Sequence, residues 1–96
     1  MWNAIYRKKE DIVSRRIAGE TLLVPIRRRL ADMGNLFALD TPTAEQAWDR
    51  MDGHRTLAEI RDSLVAAFEI TAETAGADLQ AFVNELLAEG LIEPVS

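Results

Sequence analysis

The chain has 96 residues, which is enough for one domain with a hydrophobic core and too few for two. Its 48% hydrophobic content excludes intrinsic disorder, and the absence of cysteine excludes disulfide frameworks and thiolate metal sites. The net charge of −5 is unevenly divided, because residues 1–30 carry +5 and residues 31–96 carry −10. The sequence has neither a membrane-spanning apolar stretch nor a signal-peptide pattern, so we expect a cytoplasmic protein that does not bind membranes.

Strands are predicted in the first half of the chain. Residues 1–11 are interpreted as a weakly ordered N-terminal arm, and residues 12–96 as a single domain. Three strands are predicted, over residues 12–17, 21–26 and 36–39. Pro25 cannot donate to a strand ladder, which places it at a sheet edge or a strand end. The polar connection 27–35 ends in Gly-Asn, which is typical of a hairpin turn.

Three amphipathic helices are predicted to follow the strands, over residues 42–51, 56–68 and 71–89. Each starts at a threonine suited to cap it, and the second also carries Glu59 three residues after Thr56, the spacing of a capping box. Asp52-Gly53 predicts a tight turn between the first two helices, and Gly90 a stop after the third. Strands first and three short helices after them indicate an α+β, winged-helix-like fold, with an N-terminal three-stranded antiparallel β-sheet followed by three α-helices.

The segments that distinguish this chain occur in a fixed order. They are Ala47-Trp48, the run Asp52-Gly53-His54-Arg55-Thr56-Leu57-Ala58-Glu59-Ile60, Phe68-Glu69-Ile70, Asp78-Leu79-Gln80-Ala81-Phe82-Val83 and Glu89-Gly90-Leu91-Ile92. In order and spacing, residues 12–92 resemble the PqqD family of peptide chaperones. These proteins serve PQQ biosynthesis and other pathways that modify ribosomally synthesised peptides (RiPPs). The same fold is called the RiPP recognition element when it is fused to, or partnered with, a modifying enzyme.

The resemblance implies a peptide-binding site. In this family the leader segment of a precursor peptide adds as an extra strand to the third strand, in a groove walled by the third helix. Carried over to this chain, the strand residues are Leu36, Phe37, Ala38 and Leu39. The helix candidates lie on one shoulder of its apolar stripe and are Gly76, Gln80, Val83 and Leu87. Leu79, Phe82 and Leu86 are nearer the centre of the stripe and are interpreted as core.

The resemblance also implies partners. Besides the precursor peptide, we expect a modifying enzyme such as a radical S-adenosylmethionine protein, an ATP-using cyclase or a dehydratase. The run Arg27, Arg28 and Arg29 contacts an acidic leader or the partner enzyme, or else is a solvated hairpin tip. A homodimer that pairs its own exposed strand edges is a further possibility.

The residues give no support for an enzyme. His54 is the single histidine and lies in a predicted turn, and no metal-ligand spacing, cofactor motif or phosphate loop is present. Two other functions stay open, a winged-helix DNA-binding protein and a generic protein-interaction domain. DNA binding is disfavoured, because the third helix contains four acidic residues and no Lys or Arg for phosphates.

Overall fold

A computed structural model describes residues 1–26 and 37–95. The predicted hairpin turn, the start of the third predicted strand at Leu36 and the arginines at 27–29 lie outside these described residues. Nine elements follow one another along the chain. They are β1 (Ile5–Lys8), β2 (Ile12–Ile17), β3 (Glu20–Pro25), β4 (Phe37–Leu39), α1 (Pro42–Arg50), β5 (Asp52–Thr56), α2 (Leu57–Ala67), α3 (Ala72–Ala88) and β6 (Ile92–Pro94).

The predicted N-terminal sheet is formed by β2, β3 and β4, which are antiparallel and lie in that order. A two-residue turn, Ala18-Gly19, joins β2 to β3, with both residues at positive φ. Pro25 is the last residue of β3, so the prediction of a strand end is confirmed. Since β4 pairs with β3 on one side, its other edge pairs with no strand of the described part of the chain.

A second three-stranded sheet was not predicted, and it corrects the interpretation of residues 1–11 as an arm. In this sheet β1 is the central strand, between β5 and β6, and it is antiparallel to both. The residues before β1 are also fixed, because the Trp2 and Ala4 carbonyls accept hydrogen bonds from the Ala58 and Leu57 amides. Those amides open α2 and need acceptors outside the helix, which explains why the N-terminus is held there.

The Asp52-Gly53 turn lies within a strand rather than between two helices. The Asp52 carboxylate accepts hydrogen bonds from the His54 and Arg55 amides, at 3.0 and 3.2 Å, and Gly53 has a φ of +84°. Ile5 pairs with Thr56 and Arg7 pairs with Asp52, so β5 has two more residues than β1 over this stretch. The predicted turn is therefore a bulge that lets β5 pair with β1 and still end at the cap of α2.

The three helices confirm the predicted caps. Thr41, Thr56 and Thr71 each accept a hydrogen bond from the amide three residues later. Thr56 and Glu59 form the reciprocal capping box, and Gly90 follows α3 with a φ of +68°. The core lies between the helices and the two sheets. Its fully buried large side chains are Leu23, Met51, Leu57, Ile60, Leu79, Val83 and Leu86. In the described residues, no helix is long and apolar enough to cross a membrane.

Candidate functional site

A groove of about 390 Å³ opens between β4, α1 and α3, with one α2 residue in its lining. This volume is within the range of small-ligand pockets, but the groove is open rather than enclosed. Its apolar lining consists of Phe37, Ala38, Ala44, Ala47, Leu64, Leu79, Ala81 and Phe82. Its polar lining consists of Asp40, Thr41, Thr43, Asp78 and Glu85.

Strand β4 forms one wall of the groove through the alternation of its side chains. Leu39 is buried and Phe37 is half-buried, whereas Ala38 between them is exposed. The Phe37 ring meets the Phe82 ring of α3 with 6.0 Å between centroids and a tilt of 55°. This contact joins the strand to the helix, while the free backbone edge of β4 lies beside the groove.

One face of α3 forms the opposite wall. Ala81, Phe82 and Glu85 lie three, four and seven residues after Asp78, which places the four residues on a single side of a helix. Phe82 supplies the apolar centre of this wall, and the two carboxylates lie on either side of it along the helix axis. The small Ala81 side chain leaves the wall open beside Phe82.

The structure brings only part of the predicted set to this groove. Phe37 and Ala38 line it, whereas Leu39 does not and is packed in the core at 4% exposure. Leu36 lies outside the described residues. None of the four α3 candidates lines the groove. Gly76 and Val83 are buried, while Gln80 and Leu87 are exposed on the side of α3 turned away from it.

The shoulder of α3 that holds Gly76 is closed by the N-terminus. A β-carbon at Gly76 would lie 3.3 Å from the Trp2 ring, so the indole packs directly on the helix backbone. The Arg61 guanidinium lies 4.9 Å from the centroid of the same ring and holds it from α2. Trp2 thus packs at the Gly76 end of this shoulder, and the groove that meets β4 lies on the other shoulder of α3.

The charged residues in the groove lining are all acidic. Asp40, Asp78 and Glu85 are exposed, and within the described ranges none of them forms an ion pair or a side-chain hydrogen bond. No cation of the described residues neutralises these three charges. The spacing of Asp78, Phe82 and Glu85 in α3 was visible in the sequence, but Phe82 was interpreted as core and the carboxylates were used only as an argument against DNA binding.

A second depression, of about 290 Å³, lies between β2, β3 and α1, and it is less suited to a ligand. Its polar side chains already bind one another. The Glu45 carboxylate accepts from the Thr21 hydroxyl at 2.5 Å and pairs with Arg16 at 3.4 Å. Filling this site would require breaking contacts that the groove beside β4 does not contain.

The two side chains with a shifted pKa lie outside the groove lining. Hydrogen bonding from the His54 amide, followed by that from the Arg55 amide and the charge of Arg55, lowers the pKa of Asp52. Burial lowers the pKa of Lys8, against the opposing charges of Asp49 and Asp52, and its ammonium lies 5.1 Å from the Trp48 ring centroid. Among the described residues, no group of three His, Asp or Glu side chains could hold a metal ion.

Comparison with known proteins identifies the family. The sequence profile of the family described as coenzyme PQQ synthesis protein D (PqqD) matches residues 20–92, which is most of the chain. The chain belongs to the PqqD family. The match includes β3, β4 and all three helices, and with them every residue that lines the groove. The PqqD resemblance derived from the sequence is therefore confirmed.

Solved structures share the fold. One is described as TbiB1 in complex with the TbiA(beta) leader peptide. It is 24% identical, has a TM-score of 0.70, and the alignment covers 91% of this chain and 94% of that one. Another is a lasso peptide synthetase B1 complexed with the leader peptide, at 21% identity and a TM-score of 0.73, with 93% and 98% covered. The α+β arrangement of antiparallel strands followed by three helices is thus a known fold. No curated protein sequence matches the chain.

Proposed function

We propose that this chain is a non-catalytic peptide chaperone. It binds the leader segment of a ribosomally synthesised precursor peptide as an added strand on β4, and presents the rest of the peptide to a modifying enzyme. A radical S-adenosylmethionine protein is the modifying enzyme we favour, by analogy with the family to which the chain belongs.

The observation that carries this proposal is the outer edge of β4, which pairs with no strand among residues 1–26 and 37–95 and lies beside an apolar groove. An edge strand offers unpaired N–H and C=O groups, and a peptide that adds to it gains main-chain hydrogen bonds. Side chains of the added strand point alternately toward and away from the helix wall, so the groove selects every second residue. The two solved structures of similar fold are both described as complexes with a leader peptide, which supports a leader peptide as the ligand of this chain.

The charge of α3 argues against the main alternative, a winged-helix DNA-binding protein. Residues 72–89 contain four carboxylates and no Lys or Arg, and Asp78 and Glu85 border the groove. A helix of this composition repels a phosphate backbone. The basic residues Arg15 and Arg16 of β2 are the described residues at which a DNA duplex is expected to bind if DNA is the ligand.

Amide chemical-shift titration tests where the peptide binds. The probe is the synthetic leader segment of a precursor peptide encoded beside this chain, and a short DNA duplex is the control. We expect shifts at residues 37–40 and 78–85 with the peptide and none with the duplex. Shifts at Arg15 and Arg16 with the duplex alone would contradict the proposal.

Backbone methylation of the same leader peptide tests strand addition. In an added strand every second N–H points to β4, so a single N-methyl group should weaken binding at alternate positions and have little effect between them. Each lost hydrogen bond contributes about 0.5–1.5 kcal/mol, which corresponds to roughly a 2- to 13-fold rise in Kd. The intervening positions are matched controls. A series with no two-residue period would rule out β-augmentation.

A further inference from the structure

We infer that this groove selects a cationic leader segment, in which an apolar residue that enters the groove is flanked by Lys or Arg. This inference rests on the proposed function and specifies the class of peptide. It starts from the carboxylates of Asp40, Asp78 and Glu85, which are the charged members of the described lining and make no ion pair there.

The positions of two of these carboxylates relate directly to the peptide. Asp78 and Glu85 are seven residues apart in α3, which is about 10 Å along a helix axis. Phe82 lies between them and contacts Phe37 across the groove. The helix wall therefore presents an anionic, an aromatic and a second anionic position in sequence.

An extended peptide has a repeat that fits this wall. Its residues advance about 3.3 Å each, so side chains on one face recur every 6.6 Å or so. An apolar residue placed against Phe82 would have its same-face neighbours two positions before and after it, about 13 Å apart. The long, flexible side chains of Lys and Arg reach carboxylates 10 Å apart from those two positions.

The same carboxylates also disfavour the binding of an acidic peptide. A leader with Asp or Glu at these positions would place carboxylates beside Asp78 and Glu85, which costs binding free energy. The apolar side chains beside them, Ala44, Ala47 and Leu79, carry no donor or positive charge that would offset this repulsion. The groove thus discriminates by attraction and by repulsion together.

A random peptide library tests this inference independently of the natural ligand. Linear 12-residue peptides displayed on phage are selected on the immobilised full chain. We expect recovered peptides to carry Lys or Arg two positions from an aromatic or aliphatic residue, and to be depleted of Asp and Glu there. Recovered peptides that contact residues 37–40 by amide shift but show no charge preference would overturn the inference and leave the proposed function standing. If no recovered peptide shifts those residues, both fail.

Matched charge variants identify the carboxylates responsible. The double variant Asp78→Asn/Glu85→Gln removes two negative charges with little change in shape. The control Glu73→Gln/Glu89→Gln changes the net charge by the same +2, at exposed positions in the first turn and at the C-cap of α3 that do not line the groove.

We expect the groove variant to bind the selected cationic peptides about 3- to 10-fold more weakly, since each exposed ion pair changes affinity by about 1.5- to 5-fold. The control should change affinity less than twofold at 150 mM salt, where charges more than about 8 Å away are screened. An equal loss in both variants would show that net charge alone acts, and would overturn the assignment to these residues.

Discussion

The Asp52 carboxylate binds the backbone of the β5 bulge. Its side chain accepts hydrogen bonds from the His54 and Arg55 amides and pairs with the Arg55 guanidinium at 2.9 Å. These contacts are stronger with the ionised form, and they lower the pKa of Asp52 from its ordinary value of 3.8. A carboxyl group whose pKa is lower in the folded state stabilises the fold above its unfolded-state pKa. That contribution is lost as the pH falls through the folded-state value.

The Asp52→Asn variant should therefore differ from wild type in a pH-dependent way. We expect its free energy of unfolding to be lower than that of wild type at pH 7, and the difference to shrink as the pH falls below about 4. Urea unfolding followed by circular dichroism between pH 2.5 and 7 measures it. Asp78→Asn is the control, because the Asp78 carboxylate forms no hydrogen bond in the described part of the chain. A difference independent of pH would show that the charge of Asp52 does not stabilise the bulge.

At the scale of the element, α2 begins with every early amide satisfied. The Leu57 and Ala58 amides donate to the carbonyls of Ala4 and Trp2, and the Glu59 amide donates to the Thr56 hydroxyl. The Glu59 carboxylate in turn accepts from the Thr56 amide at 2.9 Å. Tertiary contacts thus satisfy the first two amides of α2, and the local cap satisfies the third.

Removal of the Thr56 cap of α2 should lower the free energy of unfolding measurably. We expect Thr56→Ala to lower the free energy of unfolding by about 1 kcal/mol, because the Glu59 amide loses its acceptor. Thr56→Ser keeps the hydroxyl and should remain within a few tenths of a kcal/mol of wild type. Chemical denaturation of the three proteins measures the difference. Equal destabilisation by Ala and Ser would contradict a capping role for the hydroxyl.

The elements differ in how far the sequence predicts them. Helices α1, α2 and α3 were predictable because threonine caps, a capping box and a terminal glycine are local signals. Strands β1 and β6 were not, because they have only four and three residues and pair with partners distant in sequence. Strand β5 was not predicted, because Asp52-Gly53 indicated a turn. The turn geometry is correct, but it forms a bulge within a strand that pairs with β1, and that pairing is not visible in the local sequence.

The prediction of the candidate site on α3 was limited in the same way, by contacts between segments distant in sequence. Hydrophobic spacing identifies the apolar stripe of this helix but not which of its two shoulders meets β4. In the structure Trp2 packs on Gly76 at one shoulder, and Phe82 lies beside Phe37 on the other. The contact of Trp2 with α3 joins segments far apart in the sequence, so residue spacing alone does not predict it. Phe37 and Ala38 were named through the family resemblance, which implies that the peptide adds to the third predicted strand.

At the scale of the whole molecule, the two sheets have separate roles. The sheet of β5, β1 and β6 ties the N-terminus to α2 and to the segment after α3. The sheet of β2, β3 and β4 provides the free edge beside the groove. No residue of the described range 1–26 lines that groove. Stability and peptide binding should therefore respond to different substitutions.

Tyr6→Pro tests this separation in the full chain. Tyr6 lies in the central strand β1, where the fixed φ of proline fits the sheet poorly, so we expect a loss of about 1–3 kcal/mol in the free energy of unfolding. Tyr6→Phe keeps the amide and the ring, and should stay close to wild type. At a temperature where each variant is folded, all three proteins should bind the leader peptide with the same Kd, because the groove is built from residues 37–85. Tolerance of proline would restore the interpretation of residues 1–11 as an arm. Weaker binding by a folded Tyr6→Pro protein would instead show that the second sheet positions the groove as well as stabilising the fold.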